Sequence, residues 1–376
     1  MKIQVLRSSL AAGLKAGKVA VAGRSATPIL ANVLVSARDG SASLVTTNID
    51  TTVRARIACE VAEPGEVTLP HALLSSIVSK LDDGMVTIEA KTGKGAAQKV
   101  SVRAGASWFS LGSLPVKEFP QLQKMDDASV YVLQSSMLAV MLNHVSYASS
   151  VDDTRRSLRS VLLRFKGGKL TVVATDGRRL SLVEKSDVEG GDADFVVPSL
   201  VVGDLIRHLK AAEGDVTVSS VGSQIKFSLG DIDIYSKLID DTYPDFRRVI
   251  PSGDGYTKAV VDRLMLLEAI DRVSVLLTAG DSSSVQFSFQ DNTLVISAKG
   301  GDAGDAREEL PIKYLGEPVS IQLNQKYITD PLRALQDDEV AIWFKDAAAP
   351  IMVKCSIPFI GVVMPLRAGS PAGGAA

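Results

Sequence analysis

The chain has 376 residues, of which 46% are hydrophobic and 22% are charged, and its net charge is −2. These values are ordinary for a folded globular protein, so they exclude a disordered or fibrous chain for the bulk of the sequence. At roughly 150 residues per domain, the length indicates two or three domains. The near balance of 41 Lys+Arg against 43 Asp+Glu excludes a polybasic nucleic-acid binder, which leaves only local basic patches for any contact with phosphates.

The cysteines and the N-terminal segment indicate the compartment. Cys59 and Cys355 supply neither a disulfide framework nor a zinc ligand set, which favours a reducing environment. The segment MKIQVLRSSLAAGLKAG lacks a long apolar core, so neither a signal peptide nor a membrane span is predicted. We therefore expect a soluble, cytoplasmic protein with no membrane partner.

The first predicted helix occurs three times along the chain. VLRSSLAAGL begins at Val5, VLQSSMLAVM begins at Val132, and DRLMLLEAIDRV begins at Asp262. The second and third copies carry apolar residues at helical spacing, whereas Leu10 and Leu14 are the only large apolar positions of the first. The spacing of these copies indicates a repeat of about 127 residues.

A second predicted helix repeats at nearly the same interval. Its first copy, LPHALLSSIVSKL, places five apolar residues on one face: Leu73, Leu74, Ile77, Val78 and Leu81. The positions 128 residues later are all apolar, and those a further 126 residues on are Tyr327, Ile328, Pro331, Leu332 and Leu335. A proline inside a helix removes a hydrogen bond, so Pro331 is expected to distort or shorten the third copy.

Short hairpins fill the chain between the helices. ANVLVSARDGSASLVTT, RSVLLRFKGGKLTVVAT and SSVQFSFQDNTLVISAK each read as strand, tight turn and strand. Because no strand–long helix–strand crossover recurs, the predicted fold class is α+β, with two helices packed on antiparallel sheets in each unit. The predicted domains are residues 1–127, 128–254 and 255–367, followed by a flexible tail at 368–376.

Three equal units leave strands at both ends of the series without partners inside the chain. Unpaired strand edges are either protected or paired with another molecule. Head-to-tail pairing of two chains would close a ring of six units.

Catalytic and metal-binding patterns are not found in the sequence. The three histidines, at positions 71, 144 and 208, lie in separate predicted helices and form no ligand set. No catalytic residue, metal site or cofactor is predicted. One alternative stays open, an enzyme acting on phosphorylated substrates through Asp176, Arg178 and Arg179 of ATDGRRL.

Four ordered motifs resemble one known family. TPILANVL, ATDGRRL, YPDFRRVIP at 243–251 and VVMPLR at 362–367 are similar to segments of the bacterial DNA polymerase III beta subunit, the sliding clamp family. The resemblance runs from Met1 to Arg367. It implies a head-to-tail homodimeric ring of six domains that encloses double-stranded DNA and tethers the replicative polymerase, without catalysis.

The resemblance also implies functional residues. A groove would bind short motifs of the DNA polymerase III alpha subunit, the clamp loader delta subunit, and other DNA polymerases and repair proteins. Its residues would be Leu158, Thr175, Gly177, Arg178, Arg179, Leu180, Pro244, Arg248, Val249, Asn324, Tyr327, Val362, Val363, Met364, Pro365, Leu366 and Arg367. DNA would contact Arg24, Arg155 and Arg156. The subunit joint would place Phe109 against Leu276 and Leu277 of the other chain.

Three departures from the family pattern affect the expected groove. Arg178 stands where the family commonly has histidine, and an aromatic residue that the family often has near the position of Ser282 is missing. Ala368 begins an extension of nine residues. Arginines are expected as hydrogen-bond donors at the groove's rim. A second alternative stays open, a peptide-binding adaptor that shares the fold but closes no ring.

Overall fold

A computed structural model describes residues 1–23, 27–90, 98–122, 125, 129–152, 154–252, 254–277 and 284–366. The chain divides into two compact units. Unit 1 contains residues 1–139 and 203–238, and unit 2 contains residues 140–202 and 239–376. The predicted domain boundaries at 127 and 254 stay predictions.

The described elements recur in three series, which we call the first, second and third repeats. The first repeat contains β1 (Lys2–Leu6), α1 (Arg7–Gly17), β2 (Asn32–Arg38), β3 (Ser41–Thr47), β4 (Thr51–Ala58), β5 (Glu60–Glu63), β6 (Gly65–Pro70), α2 (His71–Lys80), β7 (Met85–Ala90), β8 (Gln98–Ala104) and β9 (Ser107–Ser113). The second contains β10 (Ser129–Gln134), α3 (Ser135–Ser146), β11 (Ser160–Lys166), β12 (Lys169–Thr175), β13 (Arg179–Ser186), β14 (Ala193–Pro198), α4 (Ser199–Ala211), β15 (Asp215–Val221), β16 (Gln224–Leu229) and β17 (Ile232–Lys237). The third contains β18 (Thr257–Asp262), α5 (Arg263–Val273), β19 (Ser284–Gln290), β20 (Thr293–Lys299), β21 (Asp305–Pro311), β22 (Val319–Asn324), α6 (Gln325–Ala334), β23 (Glu339–Phe344), β24 (Ile351–Lys354) and β25 (Phe359–Val363).

Unit 1 contains two sheets and one main apolar core. The strand orders are β5-β1-β7-β8-β9 and β10-β15-β16-β17-β4-β3-β2-β6. Leu10 and Leu14 of α1 pack with Leu74 and Val78 of α2 in the core of the first repeat. The apolar positions predicted for α1 are therefore confirmed as core positions.

Unit 2 also contains two sheets, with strand orders β14-β11-β12-β13-β25-β24-β23-β18 and β21-β20-β19-β22. The three predicted hairpins are confirmed as β2–β3, β11–β12 and β19–β20. Within the described residues, the paired strands of all four sheets run antiparallel, which confirms the α+β class. No helix in the described ranges is both long and apolar enough to cross a membrane.

One prediction for the second helix of the repeat needs correction. Leu73 is 50% exposed, because the core-facing stripe of α2 passes through Leu74, Ile77 and Val78 and leaves Leu73 beside it. Pro331 lies inside α6, which continues through it to Ala334 and has 10 residues, against 13 in α4 and 10 in α2. The proline removes a single intrahelical hydrogen bond, and the amide of residue 335 still donates to the Pro331 carbonyl oxygen at 3.0 Å.

Each eight-stranded sheet is shared by two repeats. In unit 1, β17 of the second repeat pairs with β4 of the first, and in unit 2, β25 of the third pairs with β13 of the second. Within the described residues, β9 pairs only with β8, and β21 pairs only with β20. They occupy the same places in the repeat as the strands that join the eight-stranded sheets. Unlike those strands, each of them leaves one edge unpaired in the described part of the chain.

Candidate functional site

The ATDGRRL motif forms a tight turn between β12 and β13. The Thr175 hydroxyl donates to the Arg179 carbonyl oxygen at 2.6 Å and accepts from the Gly177 amide at 3.1 Å. Asp176 Oδ1 accepts from the Arg178 and Arg179 amides at 2.8 and 3.0 Å. Gly177 has φ +86°, a left-handed conformation that glycine adopts without steric cost. The motif therefore fixes the backbone that carries the predicted groove residues.

The Arg179 guanidinium is buried beneath this turn. Its Nε donates to Asp176 Oδ2 at 3.0 Å, Nη1 to Asp330 Oδ2 at 2.6 Å, and Nη2 to the Tyr147 carbonyl oxygen at 2.6 Å. Its central carbon lies 4.8 Å from the centroid of the Tyr327 ring and 5.4 Å from that of Tyr147. Arg179 thus supports the turn from inside, whereas the sequence suggested a donor at the rim.

Sequence reasoning missed Tyr147 and Asp330, which hold Arg179 in place. Asp330 lies 151 residues along the chain from Arg179, so no local pattern connects the two. Burial raises the pKa of the Tyr147 phenol, which donates its proton to Ser181 Oγ at 3.0 Å. The guanidinium and these neighbours form one buried polar cluster inside unit 2.

Pairing of β13 with β25 brings the ATDGRRL and VVMPLR motifs side by side. Arg179 lies opposite Val363 and Leu180 opposite Val362 in the ladder. Beyond the ladder, the Met364 amide donates to the Arg178 carbonyl oxygen at 3.0 Å. Predicted groove residues more than 180 positions apart in the sequence therefore share one surface.

An apolar floor lies under this surface, with exposed apolar groups in the adjoining segments. The buried cluster of the floor includes Leu162, Leu180, Leu182, Tyr243, Phe246 and Val362. Tyr243 also donates to the Val173 carbonyl oxygen at 3.4 Å. Met364 is 42% exposed, and Val249 and Leu366 are also exposed. Unit 2 thus offers apolar contacts to a ligand above a packed core.

The other predicted groove residues lie in several positions. Leu158 is buried in a short 3₁₀ turn, and Thr175 is buried at the end of β12. The Asn324 side chain caps α6 by accepting from the Lys326 and Tyr327 amides. Pro244 is exposed, Pro365 is half-buried, and the exposed Arg248 pairs with Asp245 at 2.9 Å. Arg367, Ser282 and the extension from Ala368 lie outside the described residues.

Of the predicted DNA contacts, Arg155 lies next to this surface. A Cβ atom added at Gly177 would be 3.8 Å from Arg155 Nη1. Arg155 and Arg156 are exposed where the 3₁₀ turn at 156–158 begins, and Arg24 lies outside the described residues. Phe109 of β9 is half-buried against the core of the first repeat. Leu276 and Leu277 are half-buried just after α5.

The polar groups of the site have structural partners and form no catalytic set. Both carboxylate oxygens of Asp176 accept hydrogen bonds from the turn or from Arg179, so Asp176 has a structural role. Within the described ranges, no group of three or more His, Cys, Asp or Glu residues could hold a metal ion. Burial lowers the pKa of His71, His144 and His208, which favours their neutral forms inside the fold.

Comparison with known proteins assigns the whole described chain to one family. Models of the DNA polymerase III beta subunit match in order, with the N-terminal domain at residues 1–123, the central domain at 132–245 and the C-terminal domain at 247–365. The beta sliding clamp of Caulobacter vibrioides is 30% identical over 375 residues, covering 98% of this chain and 100% of the relative. That of Escherichia coli K12 is 29% identical over 372 residues, with the same coverage.

Solved structures agree with this assignment. The DNA polymerase III subunit beta of Pseudomonas aeruginosa matches with a TM-score of 0.91 and 29% identity, over 98% of this chain and 100% of that one. A sliding clamp from Bartonella birtlesii bound to griselimycin matches with a TM-score of 0.92 and 31% identity, again over 98% and 100%. On the strength of full-length relatives, three matching domains and the shared fold, the chain belongs to the DNA polymerase III beta subunit family.

Proposed function

We propose that this protein acts as a sliding clamp, a ring that encloses duplex DNA and tethers the replicative DNA polymerase for processive synthesis. It contributes processivity and carries out no chemistry of its own. Family membership supports this function, and the open edges of β9 and β21 are the structural observation that carries it. The compartment that fits this role is the cytoplasm.

The repeat predicts how two chains join. In unit 1, Ile232 of β17 lies opposite Ala55 of β4, and in unit 2, Phe359 of β25 lies opposite Val183 of β13. In the repeat, β9 corresponds to β17 and β25, and β21 corresponds to β4 and β13. The remaining pair is therefore β9 of one chain with β21 of another. Antiparallel pairing in the same register puts Phe109 opposite Ala306 of the second chain. Two such joints close a head-to-tail dimer and leave neither strand edge open.

The surface formed by β13, β25 and the segment at 243–251 is the proposed peptide groove. Its exposed Met364, Val249 and Leu366 suit the apolar side chains of short extended motifs. The proposed partners are the DNA polymerase III alpha subunit, the clamp loader delta subunit, and other polymerases and repair proteins with such motifs. The Bartonella relative's binding of griselimycin supports a ligand site in this family.

Arg155, Arg156 and Arg24 are the proposed DNA contacts. Contacts to phosphate carry no sequence information, so they guide the duplex without fixing the clamp at one site. A net charge of −2 fits this role, because many strong phosphate contacts would resist sliding.

Sedimentation velocity at micromolar concentration tests the joint. The expected species is a dimer of 39.8 kDa chains for the native protein and a monomer for Phe109→Asp, because a carboxylate cannot be buried unpaired at the joint. Val151→Asp is the control, since Val151 is 92% exposed and lies outside the joint. A monomeric native protein would contradict the ring and favour the adaptor function.

A further inference from the structure

The turn that follows β3 reproduces the turn of the proposed peptide groove, 128 residues earlier in the chain. The Thr47 hydroxyl donates to the Thr51 carbonyl oxygen at 3.3 Å and accepts from the Ile49 amide at 3.1 Å. Asn48 Oδ1 accepts from the Asp50 and Thr51 amides at 3.2 and 2.8 Å. These four hydrogen bonds are the same four that organise residues 175–179.

The neighbouring strand is reproduced as well. The Lys237 amide donates to the Asp50 carbonyl oxygen at 2.8 Å, as the Met364 amide does to Arg178 at 3.0 Å. The segment FPQL at 119–122 corresponds to YPDF at 243–246, and each follows the last strand of its repeat. Unit 1 therefore contains a second copy of the groove's backbone.

A cavity of about 290 Å³ opens beside this second turn. Its apolar walls come from Ile49, Pro120, Leu122 and Tyr235. The polar part of the lining consists of Thr47, Asp50, Thr52, Gln121, Gln224, Ser236 and Lys237. The Asp50 carboxylate is neutralised by the Lys237 ammonium at 3.0 Å. The cavity's volume is close to the lower end of the range for small-ligand sites. It suits one large apolar side chain of an extended peptide.

Ile49 adopts a strained conformation at the mouth of this cavity. Its φ is +80°, close to the +86° of Gly177 at the corresponding position. A β-branched residue is disfavoured in this left-handed region, and such strain is concentrated at functional sites. The Ile49 side chain is nevertheless 56% exposed, so burial does not account for its presence. An apolar contact with a ligand would account for it.

A larger, basic cavity of about 1000 Å³ adjoins the first and shares Pro120, Gln121 and Leu122 with it. Four cations and one carboxylate are among its lining residues: Arg38, Arg54, Arg56, Lys117 and Glu66. Arg54 and Arg56 both pair with the buried Asp233. The remaining cations, Arg38 and Lys117, outnumber the single carboxylate of Glu66, and this excess of positive charge favours an anionic ligand.

We infer that this face of the first repeat is a second peptide site, for an extended acidic segment of a partner protein. One apolar side chain of the segment enters the smaller cavity against Ile49 and Leu122, and its carboxylates lie over Arg38 and Lys117. The inference rests on the proposed peptide groove, because it is the groove's backbone that unit 1 duplicates.

Isothermal titration of the full chain with the peptide Asp-Glu-Leu-Phe-Asp-Asp, blocked at both ends, tests this site. The expected stoichiometry is two peptides per chain. Met364→Ala with Pro365→Ala removes the groove in unit 2, and Ile49→Gly with Leu122→Ser removes the site in unit 1, so each pair leaves one peptide per chain. Ile49→Gly copies the residue found at the corresponding position in unit 2, so it preserves the turn.

This experiment tests the site in unit 1 and the groove in unit 2 separately. One peptide per native chain, lost on substitution of Met364 and Pro365, would overturn the second site and leave the proposed function intact. One peptide lost only on substitution of Ile49 and Leu122 would support the second site and contradict the proposed groove. No binding at all would overturn both.

A charge-reversed variant tests the acidic character of the ligand. In the Met364→Ala, Pro365→Ala background, Arg38→Glu with Lys117→Glu should weaken peptide binding about tenfold or more, since like charges then meet across the site. The matched control is the peptide with asparagine and glutamine in place of its acids, whose affinity should change little. Equal affinities of the acidic peptide for both proteins would overturn the inference.

Discussion

Replacing Arg179 tests the role of the buried guanidinium most sharply. Arg179→Gln removes the cation shared by Asp176 and Asp330 and its contacts with two tyrosine rings. The side chains of the two aspartates are only 14% and 16% exposed, so water replaces the lost partner poorly. Breaking a buried ion pair by removing one partner costs about 3–5 kcal/mol. We expect a loss of about 3 kcal/mol in the free energy of unfolding of unit 2, near the low end of that range.

Urea unfolding followed by tryptophan fluorescence measures this loss. The chain has two tryptophans, Trp108 in unit 1 and Trp343 in unit 2, so a Trp108→Phe background reports on unit 2 alone. A loss of this size should also lower the melting temperature of a unit of about 200 residues by roughly 6–12 °C.

Arg248→Gln is the matched control in the same background. The Arg248 side chain is 84% exposed, and its pair with Asp245 should contribute less than about 1 kcal/mol. Equal effects of the two substitutions would refute a structural role for Arg179. Loss of peptide affinity without loss of stability in Arg179→Gln would instead make Arg179 a direct ligand contact.

Three further predictions concern other parts of the molecule. Burial lowers the pKa of His71 below its usual 6.5, so the unfolded chain takes up a proton at a higher pH than the folded chain does. The free energy of unfolding should therefore fall as the pH drops below about 6.5, and it should fall less steeply in His71→Gln. Urea titrations at pH 7.5 and 5.5 measure this difference. Ile49→Gly should raise the stability of unit 1 by about 1 kcal/mol in urea unfolding, because relief of a strain of roughly 1–3 kcal/mol exceeds the cost of glycine's flexibility; a loss of stability would show that Ile49 is not strained. Arg155→Ala with Arg156→Ala should weaken DNA contact in fluorescence anisotropy without changing peptide affinity, and a parallel loss of both would place these arginines in the groove.

The repeated helices and hairpins could be predicted because their signals are local. Apolar spacing near 3.6 residues marked α2 to α6, and marked α1 more weakly, through Leu10 and Leu14 alone. Short turns between apolar runs marked β2–β3, β11–β12 and β19–β20. The position of Leu73 could not be settled in the same way, since adjacent apolar residues on a short helix compete for one buried stripe. Exposure of Leu73 reflects the packing of α2 on its sheet.

The sharing of sheets between repeats lies beyond such local signals. β17 and β4 pair residues about 180 positions apart, and strand alternation specifies which face is buried but not which strand lies alongside. The groove residues were reached through family resemblance. Burial of the Arg179 side chain was not predicted, because its partners are distant in the sequence and carry no local signal. Tyr147 lies in the turn just after α3, and Asp330 lies in α6, whose pattern indicates only core packing.

The claim that the protein encloses DNA as a closed ring is tested most directly by its retention on circular and linear DNA. The labelled protein, assembled by its clamp loader on a nicked circular plasmid, is separated from free protein by gel filtration before and after one restriction cut. A closed ring predicts stable association with the circle, even in high salt, and rapid loss from the linear product. Equal retention on both forms, or equal loss from both as salt increases, would show that the protein holds DNA by charge and would contradict the ring.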